Sequence, residues 1–187
     1  MRIIAGENRG LRLAEVGTGD EAARLRPTPD RVREAVFNLL AGGRFGDPLT
    51  GACVLDLFAG TGALALEALS RGAAQAVLVD DGRAAARLIR ENLRRAGRGN
   101  VARHLPLDAT RLPPNAEAPF TLAFLDPPYG RGLGQAALGA ALAGGWLAPG
   151  AVVAWEEAGP MTPLAGTTFL DRRAYGGTTV TLLGVGA

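Results

Sequence analysis

The residues best suited to chemistry lie in a short motif, Asp126-Pro127-Pro128-Tyr129. Two consecutive prolines have no backbone N–H to donate and fix an extended path, so the preceding strand must end there and leave a rigid lip. The Asp126 carboxylate and the Pro127 carbonyl can accept both protons of an amino group on a nucleobase. Those hydrogen bonds favour a pyramidal nitrogen and free its lone pair to attack an electrophilic methyl group. Tyr129 adds a flat face on which the base can stack.

A second motif, Asp56 to Gly62, is typical of the turn between a strand and a helix. Gly60 and Gly62 allow a tight bend and let a ligand approach the backbone closely. These glycines do not choose between cofactors, because Gly60-Thr61-Gly62 also fits the dinucleotide pattern. Asp56 favours a cationic ligand, since a carboxylate repels a pyrophosphate and attracts the ammonium group of S-adenosylmethionine.

Further acids follow the next two predicted strands. Asp80 and Asp81 come about twenty residues after the glycines, where a carboxylate commonly binds two ribose hydroxyls. Asp108 follows the third strand and can accept a hydrogen bond from an adenine amino group. Each acid alone also fits an ordinary helix cap, but three at successive strand ends indicate one nucleoside-binding edge.

The elements that must position these motifs alternate between strand and helix from residue 52 onward. Strands are predicted at 52–57, 75–79, 101–107, 120–125 and 151–155, and helices at 63–70, 83–96 and 133–142. Repeated units of this length predict an α/β fold with a mostly parallel sheet covered on both faces. Two later runs, 168–175 and 178–185, surround Gly176-Gly177 and predict an antiparallel hairpin at the sheet edge.

The residues before this core predict an appendage. Short strands around turns are expected in 1–16, followed by a polar connector in 17–25. Pro29 is well placed to open a helix that ends at Gly42. We therefore expect one domain over 1–187, composed of an N-terminal strand extension, 1–25, and a catalytic core, 26–187.

Composition narrows the class further. The chain has 187 residues, 48% apolar and 20% charged, which suits one globular domain with its own core. It has no uninterrupted apolar run of about 18 residues, and we expect a soluble cytoplasmic protein. The net charge of +2 does not argue for nucleic acid, and the use of arginine for all 20 basic residues supports phosphate binding only weakly.

The chain's single cysteine and single histidine argue against metal chemistry. Transition-metal sites usually draw on several such residues, so we expect no metal. Cys53 lies in an apolar run and is expected to be a small buried residue. His104 alternates within a predicted strand and is expected to be structural.

Several motifs together resemble the RsmD family of bacterial 16S rRNA guanine-N2 methyltransferases. They are Arg2-Ile3-Ile4-Ala5-Gly6 with Arg9-Gly10, Arg26 to Ala35, Asp56 to Gly62, Asp108-Ala109, Asp126 to Tyr129, and Tyr175-Gly176 with Thr178. The glycine turn is common to many methyltransferases, so the N-terminal motifs carry the resemblance to this family.

The resemblance implies a Rossmann-like class I methyltransferase fold with a mostly parallel seven-stranded sheet, a C-terminal antiparallel hairpin and a small N-terminal β-hairpin and helix extension. It implies S-adenosylmethionine as cofactor and, as substrate, the exocyclic N2 of a guanine in 16S rRNA, in the small ribosomal subunit or an assembly intermediate. We expect a monomer that does not contact a membrane.

The resemblance also assigns residues. Cofactor binding falls to Arg26, Thr28, Asp56, Phe58, Gly60, Gly62, Asp80, Asp108 and Ala109, catalysis to Asp126, Pro127 and Tyr129, and RNA binding to Arg2, Arg9, Arg12 and Arg131. Two positions depart from the family pattern, which usually has glutamate near Asp80 and lysine at Arg131. The shorter acid leaves the ribose contact open between Asp80 and Asp81, and we favour Asp80.

Two other functions stay open at this point. The same chemistry could act on DNA adenine or on a protein glutamine amide. A DNA enzyme would normally need a separate target-reading region, and an enzyme acting on an amide more often has asparagine at the place of Asp126. The permissive glycine turn also fits a dinucleotide-binding module without catalysis.

Overall fold

A seven-stranded sheet is the centre of the computed structural model, which describes residues 1–15 and 29–186. Its strands are β1 (Cys53–Leu57), β2 (Gln75–Val79), β3 (Ala102–Leu105), β4 (Phe120–Leu125), β5 (Leu147–Glu157), β6 (Thr167–Tyr175) and β7 (Thr178–Val185). Their order is β3-β2-β1-β4-β5-β7-β6. The first five strands are parallel, and β7 runs antiparallel to both β5 and β6. The predicted α/β sheet and edge hairpin are confirmed.

Four helices flank the sheet: α1 (Asp30–Ala41), α2 (Ala63–Ser70), α3 (Arg83–Ala96) and α4 (Leu133–Ala143). The bounds of α2 and α3 are those that the sequence predicts. A short 3₁₀ turn, Ala109–Arg111, follows β3.

Two strands differ by more than one residue from their predicted lengths. β3 ends at Leu105, before Pro106, which has no N–H to continue the ladder. β5 begins at Leu147 instead of 151, because the pairing with β4 shifts register between Phe120 and Leu122 and so accommodates Pro149 and Gly150. The sequence pattern alone could not reveal this irregular pairing.

Each face of the sheet carries its own apolar core. On one face α1, α2 and α3 pack against Val54, Phe124 and Val152, and the rings of Phe37 and Phe124 are 5.4 Å apart. On the other face α4 packs against Leu125 and Trp155. Because side chains alternate along a strand, the register decides which face each carboxyl at the strand ends occupies.

The N-terminal residues form a hairpin built into the first of these cores. Arg2 pairs with Arg12, and Ile3 and Leu13 are buried against α2 and α3. Asn92 of α3 holds it, since its side chain accepts from the Ala14 N–H at 2.6 Å and donates to the Ala14 carbonyl at 3.2 Å. The hairpin is therefore integral to the packing of the core.

A buried ion pair joins this hairpin to two helices. Arg33 of α1 and Glu67 of α2 are both fully buried, with Arg33 Nε 3.8 Å from Glu67 Oε2. Glu67 accepts the N–H groups of Ile4 at 2.8 Å and Ala5 at 3.0 Å, and Arg71 Nε at 2.8 Å. Arg33 in turn donates to the carbonyl oxygen of the hairpin's second residue. The ion pair and these hydrogen bonds thus hold the hairpin, α1 and α2 together.

Cys53 is half-buried, so the expectation of a buried residue is wrong. It is the first residue of β1, at the amino-terminal edge of the sheet, where Gln75 Nε2 donates to its sulfur at 3.1 Å.

Within residues 1–15 and 29–186, no helix is long and apolar enough to cross a membrane.

Replacing Glu67 by glutamine should destabilise the fold strongly. The change removes the charge opposite the buried Arg33 guanidinium and puts an amide donor among backbone N–H donors. Breaking a buried pair costs about 3 kcal/mol or more, which urea denaturation would measure. Glu91→Gln is the control, since Glu91 pairs with Arg94 and Arg95 on the exposed side of α3 and should have little effect. Equal stability of the two variants would contradict a central role for Glu67.

Candidate active site

Acidic residues converge where the parallel strands end. Asp56 of β1 is paired with Leu78 of β2 and Phe124 of β4. Asp80 follows β2 directly, and Asp126 follows β4 directly. The carboxyl edge of a parallel sheet is the usual place for a ligand in such folds, and these three residues share it.

The turn between β1 and α2 is tightly constrained. Ala59 N–H donates to the Val79 carbonyl at 3.1 Å, and Gly62 N–H to the Ala59 carbonyl at 2.7 Å. Gly62 has φ +78°, and a Cβ there would lie 2.7 Å from Leu78 Cδ2. Phe58 has φ +63°, an unfavourable conformation for a side chain of this size. The backbone is thus held in a tight bend at the carboxyl end of β1.

Asp56 is 1% exposed, and only one of its two carboxyl oxygens is hydrogen-bonded among the described residues. Its Oδ2 accepts the Ala65 N–H at 3.1 Å, while Oδ1 has no hydrogen-bond partner among the described residues. Burial raises the pKa of Asp56 to about 8; the Ala65 N–H lowers it, and the charges of Asp126 and Asp80 raise it. Asp56 is therefore mostly neutral at neutral pH, and a cationic group placed beside it would favour its carboxylate form.

Asp80 is tied to the same turn. Its Oδ2 accepts the Gly60 N–H at 2.9 Å, and its Oδ1 accepts the Gly82 N–H at 2.9 Å. His104 Nε2 lies 2.8 Å from the Asp80 carbonyl oxygen, a contact that fits the structural role expected for this histidine. Asp81, the other candidate for the ribose, is exposed.

Asp108 caps the short turn after β3. Its Oδ1 accepts from the Thr110 N–H at 2.9 Å and the Thr110 hydroxyl at 2.7 Å, and these hydrogen bonds lower its pKa. The residue is exposed, while Ala109 beside it is buried. Asp108 is therefore ionised at neutral pH, and its Oδ2 lies 3.8 Å from Arg111 Nε.

The Asp126 motif forms the expected lip after β4. Asp126 is half-buried, Pro127 is buried, and Tyr129 is 37% exposed. The Tyr129 hydroxyl lies 3.2 Å from Thr178 Oγ1 on β7, which joins the lip to the C-terminal hairpin. Burial, with smaller effects of nearby acids, raises the pKa of Tyr129 to about 12, so its hydroxyl stays protonated.

Two glutamates at the end of β5 were missed by sequence reasoning. Glu157 Oε1 accepts the Gly130 N–H at 3.0 Å and the Ala158 N–H at 2.9 Å, and so anchors the loop after Tyr129. Glu156 is buried beside Asp126. The available signal was two adjacent acids at the end of an apolar strand, next in the sheet to the strand that ends at Asp126.

The predicted RNA-binding arginines do not form one cluster. Arg2 and Arg12 face each other across the hairpin, and Arg9 lies at its tip, where Asn8 contacts Ser70 and Ala96 at the ends of α2 and α3. Arg131 is exposed in the loop after the lip. The predicted cofactor residues Arg26 and Thr28 lie outside the described residues.

Strand order, the antiparallel β7 and the acidic glycine turn define the Rossmann-like fold of class I methyltransferases. A family profile described as conserved hypothetical protein 95 matches residues 1–184. Together with the relatives described next, this match shows that the chain belongs to the RsmD family of methyltransferases. The resemblance inferred from the motifs is confirmed.

Named relatives cover most of the chain. Ribosomal RNA small subunit methyltransferase D of Escherichia coli (strain K12) is 40% identical over 157 residues, 84% of this chain and 74% of that protein. The protein of the same name from Haemophilus influenzae is 32% identical over 182 residues, 94% and 89% of the two chains. The solved structure of Escherichia coli yhhF matches with TM-score 0.81 at 35% identity, over 100% of this chain and 98% of that one.

Replacing Asp56 by asparagine should change how stability depends on pH. An unfolded aspartate ionises near pH 3.9, whereas folded Asp56 ionises at about 8. The raised pKa of Asp56 therefore adds to the free energy of unfolding in full below about pH 4. This contribution is lost as the pH rises to about 8, by up to about 1.4 kcal/mol per pH unit. The free energy of unfolding of the asparagine variant should rise relative to that of the wild type from pH 5 through 6.5 to 8, as measured by urea denaturation. A constant difference would contradict a neutral buried Asp56.

Proposed function

We propose that this chain is an S-adenosylmethionine-dependent methyltransferase that modifies the exocyclic N2 of a guanine in 16S rRNA. The observation that carries the proposal is the lip of Asp126, Pro127 and Tyr129, set one strand away from the acidic glycine turn. The names of the relatives, ribosomal RNA small subunit methyltransferase D, support this substrate over DNA adenine or a protein amide.

The cofactor site fits a cationic nucleoside ligand. The enclosed Oδ1 of Asp56, which has no hydrogen-bond partner among the described residues, can accept from the ammonium group, and Gly62 keeps the turn packed against Leu78 beside it. Each Asp80 oxygen has a second lone pair for a ribose hydroxyl, and ionised Asp108 can accept from the adenine amine. S-adenosylmethionine supplies an activated methyl group when bound. Arg26, Thr28, Phe58, Gly60 and Ala109 complete the proposed binding set.

The protein's catalytic task is to prepare the amino nitrogen. The Asp126 carboxylate and the Pro127 carbonyl accept its two protons and aim its lone pair, and the target base stacks on Tyr129. Because Tyr129 keeps its proton up to about pH 12, it serves as a surface and not as a base. Asp126 is the nearest acceptor for the proton that nitrogen loses after the new carbon–nitrogen bond forms.

We propose that 1–187 acts as one domain and as a monomer. The hairpin contributes Ile3 and Leu13 to the core, which ties it to the catalytic part. Among the described residues, Tyr129 and Phe169 are the exposed large apolar side chains, and one of them belongs to the site. We place the enzyme in the cytoplasm, where bacterial small subunits are assembled, acting on the rRNA there or in an assembly intermediate.

Asp126→Ala should abolish methyl transfer while cofactor binding is retained, because it removes an acceptor for the amino group and leaves the glycine turn intact. The assay measures labelled methyl transfer from S-adenosylmethionine to unmodified small subunits, naked 16S rRNA and DNA, with cofactor binding followed by calorimetry. Asp126→Asn keeps one acceptor oxygen and should retain partial activity.

Glu117→Ala is the matched control, since Glu117 is an exposed acid paired with Arg103 away from the site. It should transfer methyl groups like the wild type. Full activity of Asp126→Ala would refute its catalytic role. A wild-type chain that labels DNA and no rRNA would refute the proposed substrate.

The N-terminal arginines should contribute unequally to RNA binding. Changing both Arg2 and Arg12 to Glu should weaken binding and flatten its salt dependence by roughly 0.7–0.9 in log–log slope per lost phosphate contact. Arg9→Glu should have a smaller effect because Arg9 lies at the hairpin tip, beside the ends of α2 and α3.

Arg103→Glu is the control for charge reversal at a distant position on β3. RNA affinity and its salt slope are measured by filter binding at several salt concentrations. Unchanged slopes in the Arg2 and Arg12 variant would contradict phosphate binding by the hairpin.

A further inference from the structure

Glu156 is a buried acid that the proposed mechanism does not yet use. It lies at the carboxyl end of β5 with 2% of its surface exposed. Neither of its carboxyl oxygens has a hydrogen-bond partner among the residues that the structure describes. Burial of a polar group without a partner is costly, so such a group in a folded protein calls for a functional explanation.

The strand register places Glu156 directly beside the lip. Leu125 of β4 pairs with Trp155 of β5, and Asp126 and Glu156 are the residues that directly follow this pair. Glu156 alternates onto the face that carries Phe124 and Ala154, and Asp126 is close enough for its charge to raise the pKa of Glu156. Neighbouring strands are about 4.8 Å apart, close to the span between the amino nitrogen and O6 of guanine.

The surroundings of Glu156 favour its neutral form. Burial raises the pKa of Glu156 well above its ordinary value; Asp126 and Asp56 raise it further, and Arg33 lowers it. Two carboxyl groups side by side do not readily ionise together. In its neutral form Glu156 has one O–H donor and one carbonyl acceptor.

We propose that Glu156 selects guanine by hydrogen bonding to its N1–H and O6 while Asp126 and the Pro127 carbonyl hold the amino group. This inference rests on the proposed transfer to guanine N2. Among the common bases, guanine alone has an amino group next to an N–H and a carbonyl on one edge. Both Glu156 oxygens are enclosed in the unliganded protein, so entry of the base must open a path to them.

The neighbouring groups agree with this placement. Tyr129, on which the base would stack, is close enough for Asp126 and Glu156 to raise its pKa. In residues 1–15 and 29–186, no group of three or more histidine, cysteine, aspartate or glutamate residues is arranged as metal ligands. Base recognition is the use that the chemistry of the site supports.

The test compares methyl transfer to small-subunit RNA with guanine or 2-aminopurine at the position that the wild type methylates. 2-Aminopurine keeps the amino group and lacks N1–H and O6. The wild type should prefer guanine about 10- to 100-fold in kcat/KM, the discrimination expected of one bidentate pair. Glu156→Leu should lose most of this preference through lower activity on guanine. Glu156→Gln should keep it, because the amide also combines a donor with an acceptor.

Thr181→Val is the matched control. Thr181 is buried, its Oγ1 also has no partner among the described residues, and it pairs with Trp155 on the opposite face. This variant should keep the preference for guanine. Glu156→Leu should bind S-adenosylmethionine like the wild type and melt at a higher temperature, since it removes an unpartnered acid.

The role of Glu156 would be overturned if Glu156→Leu lost equal activity on guanine and on 2-aminopurine, or if its preference for guanine were unchanged. Either result would leave the proposed function standing. If the leucine variant does not fold, Glu156→Asp decides, because its carboxyl group is one methylene too short and the preference should fall. Wild-type protein that transfers no methyl group to any guanine would overturn the proposed function and this inference together.

Discussion

The buried pair of Arg33 and Glu67 is the interaction on which the arrangement of the site depends. It fastens the N-terminal hairpin and α1 to α2, the helix that begins at the glycine turn. The same guanidinium lowers the pKa of the buried Glu156 at the end of β5. Without Arg33, Glu156 would lose a cation that partly offsets its burial in a low-dielectric interior.

This arrangement divides the site into two halves that meet between β1 and β4. The half formed by β1, β2 and β3 holds the glycine turn, Asp80 and Asp108. The half formed by β4, β5 and β7 holds the lip, its glutamates and Thr178. Different contacts hold the two halves rigid. In the first half, the backbone N–H groups of the turn bind Asp80. In the second half, the two prolines fix the path of the lip, and Glu157 anchors the loop that follows it.

Most of the fold could be predicted from the sequence, because apolar runs and glycine or proline breaks report local geometry. The bounds of α2 and α3 follow from this pattern directly. The extra length of β5 could not be predicted, since it depends on a register shift against β4. Asp56 was expected to be a carboxylate, and burial instead favours its neutral form, a property of tertiary packing. Glu156 and Glu157 were missed because only the sheet order brings them to Asp126.

The hydrogen bond between Tyr129 and Thr178 has a consequence for the timing of folding. Thr178 begins β7, which is the last strand in the sequence and yet lies between β5 and β6 in the sheet. The glycine turn can form early in synthesis, whereas the lip gains its anchor only when β7 inserts. A nascent chain still held in the ribosomal exit tunnel would thus have a partly built cofactor half and an unfinished base half. The base half is therefore the later of the two to be completed.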